Sequence, residues 1–297
     1  MALNLATLKT RSLTAAIFVV VMMVGLLWNH WSFFVLFSII HFGCWNEYQK
    51  LVGKIDPDYA TITPVHKYAV QIAGWSIMLF FTNDAYNFGE FSLHSIGWWL
   101  GLICVFILPV VELLFAKNIS AKNIGYSLLG LLYISLSWGL MIDLSGIRGL
   151  DYYPNPDFVF PEIPIIPLIL IVSIWINDTM AYVVGSLIGK TPFSPISPKK
   201  TWEGTIGGAI LAVIVMGLLG KWVHIWVKYP VHHWVIIASI AAVMGTLGDL
   251  LESKLKRMAN VKDSGSLMPG HGGFLDRFDS LLLATPFVWL YVVLFIK

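Results

Sequence analysis

The chain has 297 residues, 57% of them hydrophobic and 12% charged, with a formal net charge of +2 and a mean hydropathy of +0.76. That much apolar surface exceeds what one water-soluble core can hide. Repeated apolar runs near the ~20 residues that cross ~30 Å of hydrocarbon also exclude a soluble α/β enzyme, whose apolar strands run to about 4–8 residues. Cys44 and Cys104, the two cysteines, both lie in apolar stretches, which argues against a disulfide framework or a cysteine metal site.

The first apolar run, Leu13 to Trp28, follows Lys9 and Arg11 as a signal peptide would. It has no small-residue cleavage site and leads at once into a second apolar run, so a retained first span is expected. About nine spans follow in order, near 12–28, 31–48, 68–82, 97–116, 125–143, 164–188, 205–220, 232–252 and 280–296. No linker, low-complexity tract or repeat divides them. The expectation is an all-α integral membrane protein, one multi-spanning domain over 1–297.

With the N-terminus cytosolic, the inside segments carry Lys9, Arg11, Lys50, Lys54, Lys67, Lys117, Lys122, Lys190, Lys199, Lys200, Lys254, Lys256, Arg257, Lys262 and Arg277. Arg148, Lys221, Lys228 and Lys297 are left outside. This loop-by-loop bias predicts the N-terminus inside and the C-terminus outside. Leu51 to Lys67, with Asp56-Pro57, reads as a cytosolic connector. The outside loops, with Asp84 and Glu90, then Asp151, Asp157 and Glu162, suggest no chemistry. Trp28, Trp31, Trp98, Trp99, Trp222, Trp226 and Trp234 near span ends read as an aromatic belt.

Two inside loops are dense in polar residues. The first holds Asn177, Asp178, Gly185, Gly189-Lys190 and then Ser194-Pro195-Ile196-Ser197-Pro198-Lys199-Lys200-Thr201-Trp202-Glu203-Gly204. Its prolines, hydroxyls and lysine pair predict a stiff cationic turn opening a new helix, whose start favours anions. The lysines alone could simply follow the positive-inside rule. Asp178, an acid within a span, is a functional candidate by default, although an ion pair could also hold it.

The second loop runs from Gly248-Asp249 to Asp279-Ser280. If the eighth span continues as a helix, Asp249, Glu252 and Lys256 share one face, with Ser253 and Arg257 beside them. Lys262-Asp263-Ser264-Gly265 and Pro269-Gly270-His271-Gly272-Gly273 follow, and Asp276 and Asp279 open the last span, where capping is the plain alternative for both. Carboxylates suit Mg²⁺ shared with phosphate oxygens, basic side chains suit phosphate, and glycines let the backbone approach it. Together they point to phosphoryl or nucleotidyl transfer at the bilayer surface. The spacing of His271 does not choose among a phosphate donor, a loop-ordering residue and an acid.

Ser253-x-Leu255-Lys256-Arg257, Lys262-Asp263-Ser264-Gly265, Pro269-Gly270-His271-Gly272-Gly273 and Asp276-Arg277-x-Asp279-Ser280 together resemble the phosphatidate cytidylyltransferase signature without departure. Asn177-Asp178-x-x-Ala181-Tyr182 and Ser197-Pro198-Lys199-Lys200-Thr201-x-Glu203-Gly204 resemble the same family, so residues near 170–280 carry the likeness. Before 160 the chain agrees only in hydropathy, apart from Glu47-Tyr48.

The resemblance implies Mg²⁺-dependent conversion of CTP and phosphatidate to CDP-diacylglycerol and pyrophosphate, with a second cation as a further option. It implies metal carboxylates at Asp249 and Asp276, with Asp178, Glu252 and Asp279 as second choices. Lys256, Arg257, Lys262, Asp263, His271 and Arg277 complete the implied catalytic set. Ser197, Lys199, Lys200, Thr201, Ser253, Ser264, Gly272 and Gly273 are implied substrate contacts. It further suggests a homodimer that meets membrane lipid and no nucleic acid. The lack of long polar termini suggests a bacterial-type plasma (inner) membrane, with the site facing the cytoplasm. Two other readings are a CTP-dependent transferase acting on another lipid and, from acids such as Asp178 and Glu112, an ion-coupled transporter.

Overall fold

The computed structural model describes residues 5–115, 120–147, 163–223, 229–266 and 272–296, with side chains from residue 16 onward. The helices are α1 (Leu5–Leu27), α2 (His30–Ile55), α3 (Pro57–Ala60), α4 (Pro64–Phe80), α5 (Leu93–Phe115), α6 (Ala121–Gly130), α7 (Ser137–Gly146), α8 (Ile165–Ile188), α9 (Trp202–Val223), α10 (Val231–Met258) and α11 (Leu275–Phe295). A π-helical turn, Leu131–Leu136, joins α6 to α7. Each expected apolar run coincides with a helix, α6, the π turn and α7 serving as one. Among the described residues, six are long and apolar enough to cross a membrane: α5, the continuous Ala121–Gly146 stretch, α8, α9, α10 and α11. His271 and the acidic segment with Asp151, Asp157 and Glu162 lie outside the described residues.

Strands occur only as two short antiparallel hairpins among the described residues, β1 (Asn87–Phe88) with β2 (Phe91–Ser92) and β3 (Pro192–Ser194) with β4 (Ser197–Thr201). The second replaces the stiff turn expected before α9. Pro192 faces Thr201 and Ser194 faces Ser197, and the Ile196 N–H donates to Ser194 Oγ at 3.2 Å. Two strands have only edges, where prolines missing an N–H are tolerated.

The backbone groups into two compact units, Met1–Ile142 with Leu255–Phe278 and Asp143–Lys254 with Asp279–Lys297. In the first, α2 forms the core through Phe33, Phe37, Ile40, Cys44 and Trp45, all buried, with Phe37 against Trp138 at 5.1 Å between ring centroids. Buried Ser135 of the π turn accepts from Trp45 Nε1 at 2.8 Å and lies 2.9 Å from His41 Nε2. Asn29 and Ser32 start α2 with a reciprocal capping box. The helix outruns the expected span end at Tyr48 because Gln49, Leu51 and Val52 are also buried. Asp56 then ends α2 and caps α3, accepting from the Asp58 N–H at 3.1 Å. Its 2.6 Å ion pair with Lys122 holds its carboxyl below the ordinary carboxylate range.

In the second unit α8 and α9 pack through small residues. A side chain at Gly204 would strike the Ala181 carbonyl, and one at Gly208 would strike the Ala181 N–H and the Asn177 carbonyl. Ala181 and Gly185 on α8 thus face Gly204 and Gly208 on α9, each pair four residues apart. With lipid as solvent, close backbone approach of this kind is what drives helix association.

Candidate active site

Each unit carries one centre built from signature residues. In the first unit, α10 stops at Met258 with a full C-cap. The Asn260 N–H donates to the Arg257 carbonyl at 3.1 Å and the Val261 N–H to the Lys256 carbonyl at 2.9 Å, while Asn260 adopts φ 53°. This is the Schellman arrangement, with asparagine in the left-handed position more often given to glycine. It turns the chain into the segment that holds Lys262, Asp263 and Ser264.

Asp276 gathers that segment. Its Oδ1 accepts from Lys256 Nζ at 2.6 Å, and its Oδ2 accepts from the N–H groups of Ser264 and Gly273, each at 2.8 Å. Ser264 Oγ lies 2.9 Å from Asp276 Oδ2 and 2.7 Å from Glu47 Oε2, so its proton serves either carboxylate. Glu47, buried on α2, also accepts from the Phe274 N–H at Oε1 and the Leu275 N–H at Oε2, both at 2.9 Å. These donors belong to the start of α11, where N–H groups have no intrahelical partner and negative charge is favoured. Gly272 has φ 82°, and a side chain at Gly273 or Gly265 would collide with the Glu47 carboxylate.

Glu47 is the hub residue that motif reading underweights. Its signal in the sequence is a carboxylate at the end of an apolar run, in the weakly family-like Glu47-Tyr48. Lys256, Ser264, Gly272, Gly273 and Asp276 are thus brought together. Arg257, Lys262, Asp263 and Arg277 are exposed around them.

The second unit holds Asp178 on α8, Lys200 on β4, Asp249, Glu252 and Ser253 on α10, and Asp279 on α11. Lys200 and Asp249 form an ion pair, each side chain 28% exposed, and Ser253 Oγ donates to Asp249 Oδ1 at 3.2 Å. Asp178 Oδ1 accepts from Asn177 Nδ2 at 3.2 Å and feels the charges of Lys200 and Asp249. Glu252 is fully buried. Asp279, also buried, accepts from the Ser280 N–H at 2.7 Å and feels the charges of Asp249, Glu252 and Asp178.

The β3–β4 hairpin presents this lysine. Glu203 at the start of α9 accepts from the N–H groups of Lys190 (3.2 Å) and Thr191 (3.1 Å) and from Thr191 Oγ1 (2.8 Å). Thr201 Oγ1 caps α9 by accepting from the Gly204 N–H at 3.1 Å. Strand alternation puts Ser197, Lys199 and Thr201 on one face of β4 and Lys200 on the other, and Lys199 is exposed.

These donors fit a hard divalent cation. Oxygen ligands of full or partial negative charge are what Mg²⁺ prefers, with one or two carboxylates completed by water and phosphate. Asp249 keeps lone pairs and partial exposure, and its repulsion with Asp178, Glu252 and Asp279 is a penalty that a cation would relieve. Among the described residues no three such side chains converge as a ready-made cage.

A family model described as "Cytidylyltransferase family" matches residues 9–295. Similar proteins include the phosphatidate cytidylyltransferase of Bacillus subtilis (strain 168), 36% identical over 197 residues, which are 66% of this chain and 68% of that protein. The one from Synechocystis sp. is 35% identical over 209 residues, 65% of this chain and 68% of its own. That of Staphylococcus saprophyticus is 35% identical over 184 residues, 61% and 64% respectively.

Proposed function

Since the chain belongs to the cytidylyltransferase family, we propose that it transfers CMP from CTP to phosphatidate, giving CDP-diacylglycerol and pyrophosphate. The observation that carries this reading is the complete signature, whose Lys256, Ser264, Gly273 and Asp276 form one hydrogen-bonded hub held by Glu47.

A phosphate oxygen of phosphatidate attacks the α-phosphorus of CTP in line, and the bond to the bridging oxygen breaks as pyrophosphate leaves. The nucleophile is already an anion near neutral pH, so the barrier is the approach of two anions rather than a proton transfer. Lys199, Arg257, Lys262 and Arg277 offer exposed positive charge to the phosphates. The Asp276 hub fixes the fold of the signature segment that carries Lys262 and Arg277.

When bound, a divalent cation supplies charge neutralisation on the triphosphate. Asp249 would hold it, with Asp178, Glu252 and Asp279 as second choices. Asp276 would first have to exchange Lys256 for the metal. Asp249→Asn should then abolish turnover without changing folding. Asp276→Asn should lower the thermal midpoint together with turnover, whereas lost turnover at an unchanged midpoint would return Asp276 to the metal site.

The nine apolar helical stretches and the basic bias support nine crossings, with the N-terminus cytosolic, the C-terminus outside and the catalytic region of about 170–280 facing the cytoplasm of a plasma membrane. A homodimer is part of the same proposal. A panel of phosphatidate, other lipid phosphates and a polyprenol tests the acceptor. Turnover with phosphatidate is expected, and turnover only with another acceptor would replace this reading.

A further inference from the structure

The end of α2, α3, the start of α4 and Ser264, all in the first unit, line a cavity of about 380 Å³. Lys50, Lys54 and Lys67 line it, and no aspartate or glutamate does. Among the described residues these three lysines form no ion pair, whereas Lys122, Lys200 and Lys256 each hold a carboxylate. Two buried acids close by are committed elsewhere, and the adjacent Asp58 and Asp263 are exposed and line no part of it. Glu47 serves Ser264, Phe274 and Leu275, and Asp56 serves Lys122 and the cap of α3.

The wall is also fixed. Gln49 Nε2 donates to the Lys67 carbonyl at 3.0 Å, and Gln71 Nε2 donates to Gln49 Oε1 at 3.0 Å and Asn46 Oδ1 at 3.1 Å. Three lysines lining one concavity, Lys67 with its Nζ 6.0 Å from the Tyr68 ring centroid, bring like charges near one another, and an anion with several oxygens relieves that repulsion.

We propose that this cavity binds a phosphate-bearing anion through Lys50, Lys54 and Lys67, none of which belongs to the signature. The adjoining structure favours a lipid headgroup as its source. Tyr59, which lines the lysine cavity, reaches Ser127 Oγ at 3.2 Å, and Ser127 lies 2.8 Å from His66 Nε2. His66 and Ser127 line a second, largely apolar cavity of about 540 Å³ among α4, α5 and α6, of a character suited to an acyl chain. Because Ser264 both lines the lysine cavity and bridges Glu47 to Asp276, an occupant would also bear on the order of the signature segment.

The test is amine-reactive labelling of the full chain in phosphatidylcholine nanodiscs, read lysine by lysine by mass spectrometry, and it does not depend on catalysis. One arm adds phosphatidylglycerol to the discs and the other adds soluble pyrophosphate. Slower labelling of Lys50, Lys54 and Lys67, with exposed Lys190 and Lys254 unchanged, is expected in the phosphatidylglycerol arm. The same pattern with pyrophosphate would support the site with a soluble anion as its source. Lys50→Gln with Lys54→Gln should weaken the protection of Lys67 at least about tenfold in ligand concentration. No slowing in either arm, or equal slowing at Lys190 and Lys254, would overturn the proposal.

Discussion

Both oxygens of Glu47 are taken by donors that lie 217 to 228 residues later in the chain. Hydrogen bonds to a charged group contribute about 1.5–3 kcal/mol each, and Gln keeps only one acceptor oxygen. Glu47→Gln should therefore lower the thermal midpoint by several degrees and turnover by at least about tenfold, measured on the same detergent preparation. A midpoint and turnover both unchanged would remove Glu47 from the hub. The signature itself was legible because its residue types and spacings are specific. The partner of that signature was not, since no local pattern links Glu47 to Ser264.

Asp56 makes a prediction in pH. Its folded pKa lies below the ordinary ~3.9 of an aspartate, so the ion pair stabilises fully above that ordinary value and the contribution is lost as pH falls through the folded one. The difference in thermal midpoint between the wild type and Asp56→Asn should stay constant from about pH 6 to 8 and shrink only in strong acid. A difference that grows on acidification would contradict the Lys122 pairing.

At the scale of elements, the long helices were legible because each expected apolar run coincides with helix, and six of these stretches among the described residues reach bilayer length. The β3–β4 hairpin was not, because its prolines and lysines look like an open loop until Glu203 and Thr201 are seen fastening its ends. The cap at Asn260 was missed for a similar reason, since asparagine takes the left-handed position less often than glycine. Asn260→Gly should leave stability within a few tenths of a kcal/mol, while Asn260→Val should cost about 1–2 kcal/mol, both read by thermal unfolding.

The α8–α9 contact offers a sharper pair. Gly208→Leu would drive the two backbones apart and carry β4 and Asp178 with them, so turnover should fall at least about tenfold. Gly125→Ala, on α6 with nothing within 4 Å of the added carbon, should be neutral or stabilising by up to about 1 kcal/mol. Full turnover in Gly208→Leu would mean that close packing of α8 on α9 does not position the site.

For the whole molecule, composition pointed to lipid as the solvent, and the distribution of basic residues proposes an orientation, which protease access to the Leu51 to Lys67 connector in sealed vesicles checks. What composition could not supply is the division of labour among the acids. Asp249 keeps partial exposure beside Lys200, while Asp276 is almost covered and bound to Lys256, with side chains 28% and 8% exposed. That contrast arises from tertiary placement, not from spacing, because both acids stand in the same polar loop region, Asp249 just before the signature and Asp276 within it.

The central claim is tested most directly by giving purified protein phosphatidate, Mg²⁺ and each of the four ribonucleoside triphosphates in turn, with released pyrophosphate measured and the lipid product weighed by mass spectrometry. CDP-diacylglycerol with CTP, abolished by a chelator and restored by added Mg²⁺, is the predicted result. Folded protein that releases no pyrophosphate with any nucleotide, or that forms a different lipid product, would contradict it.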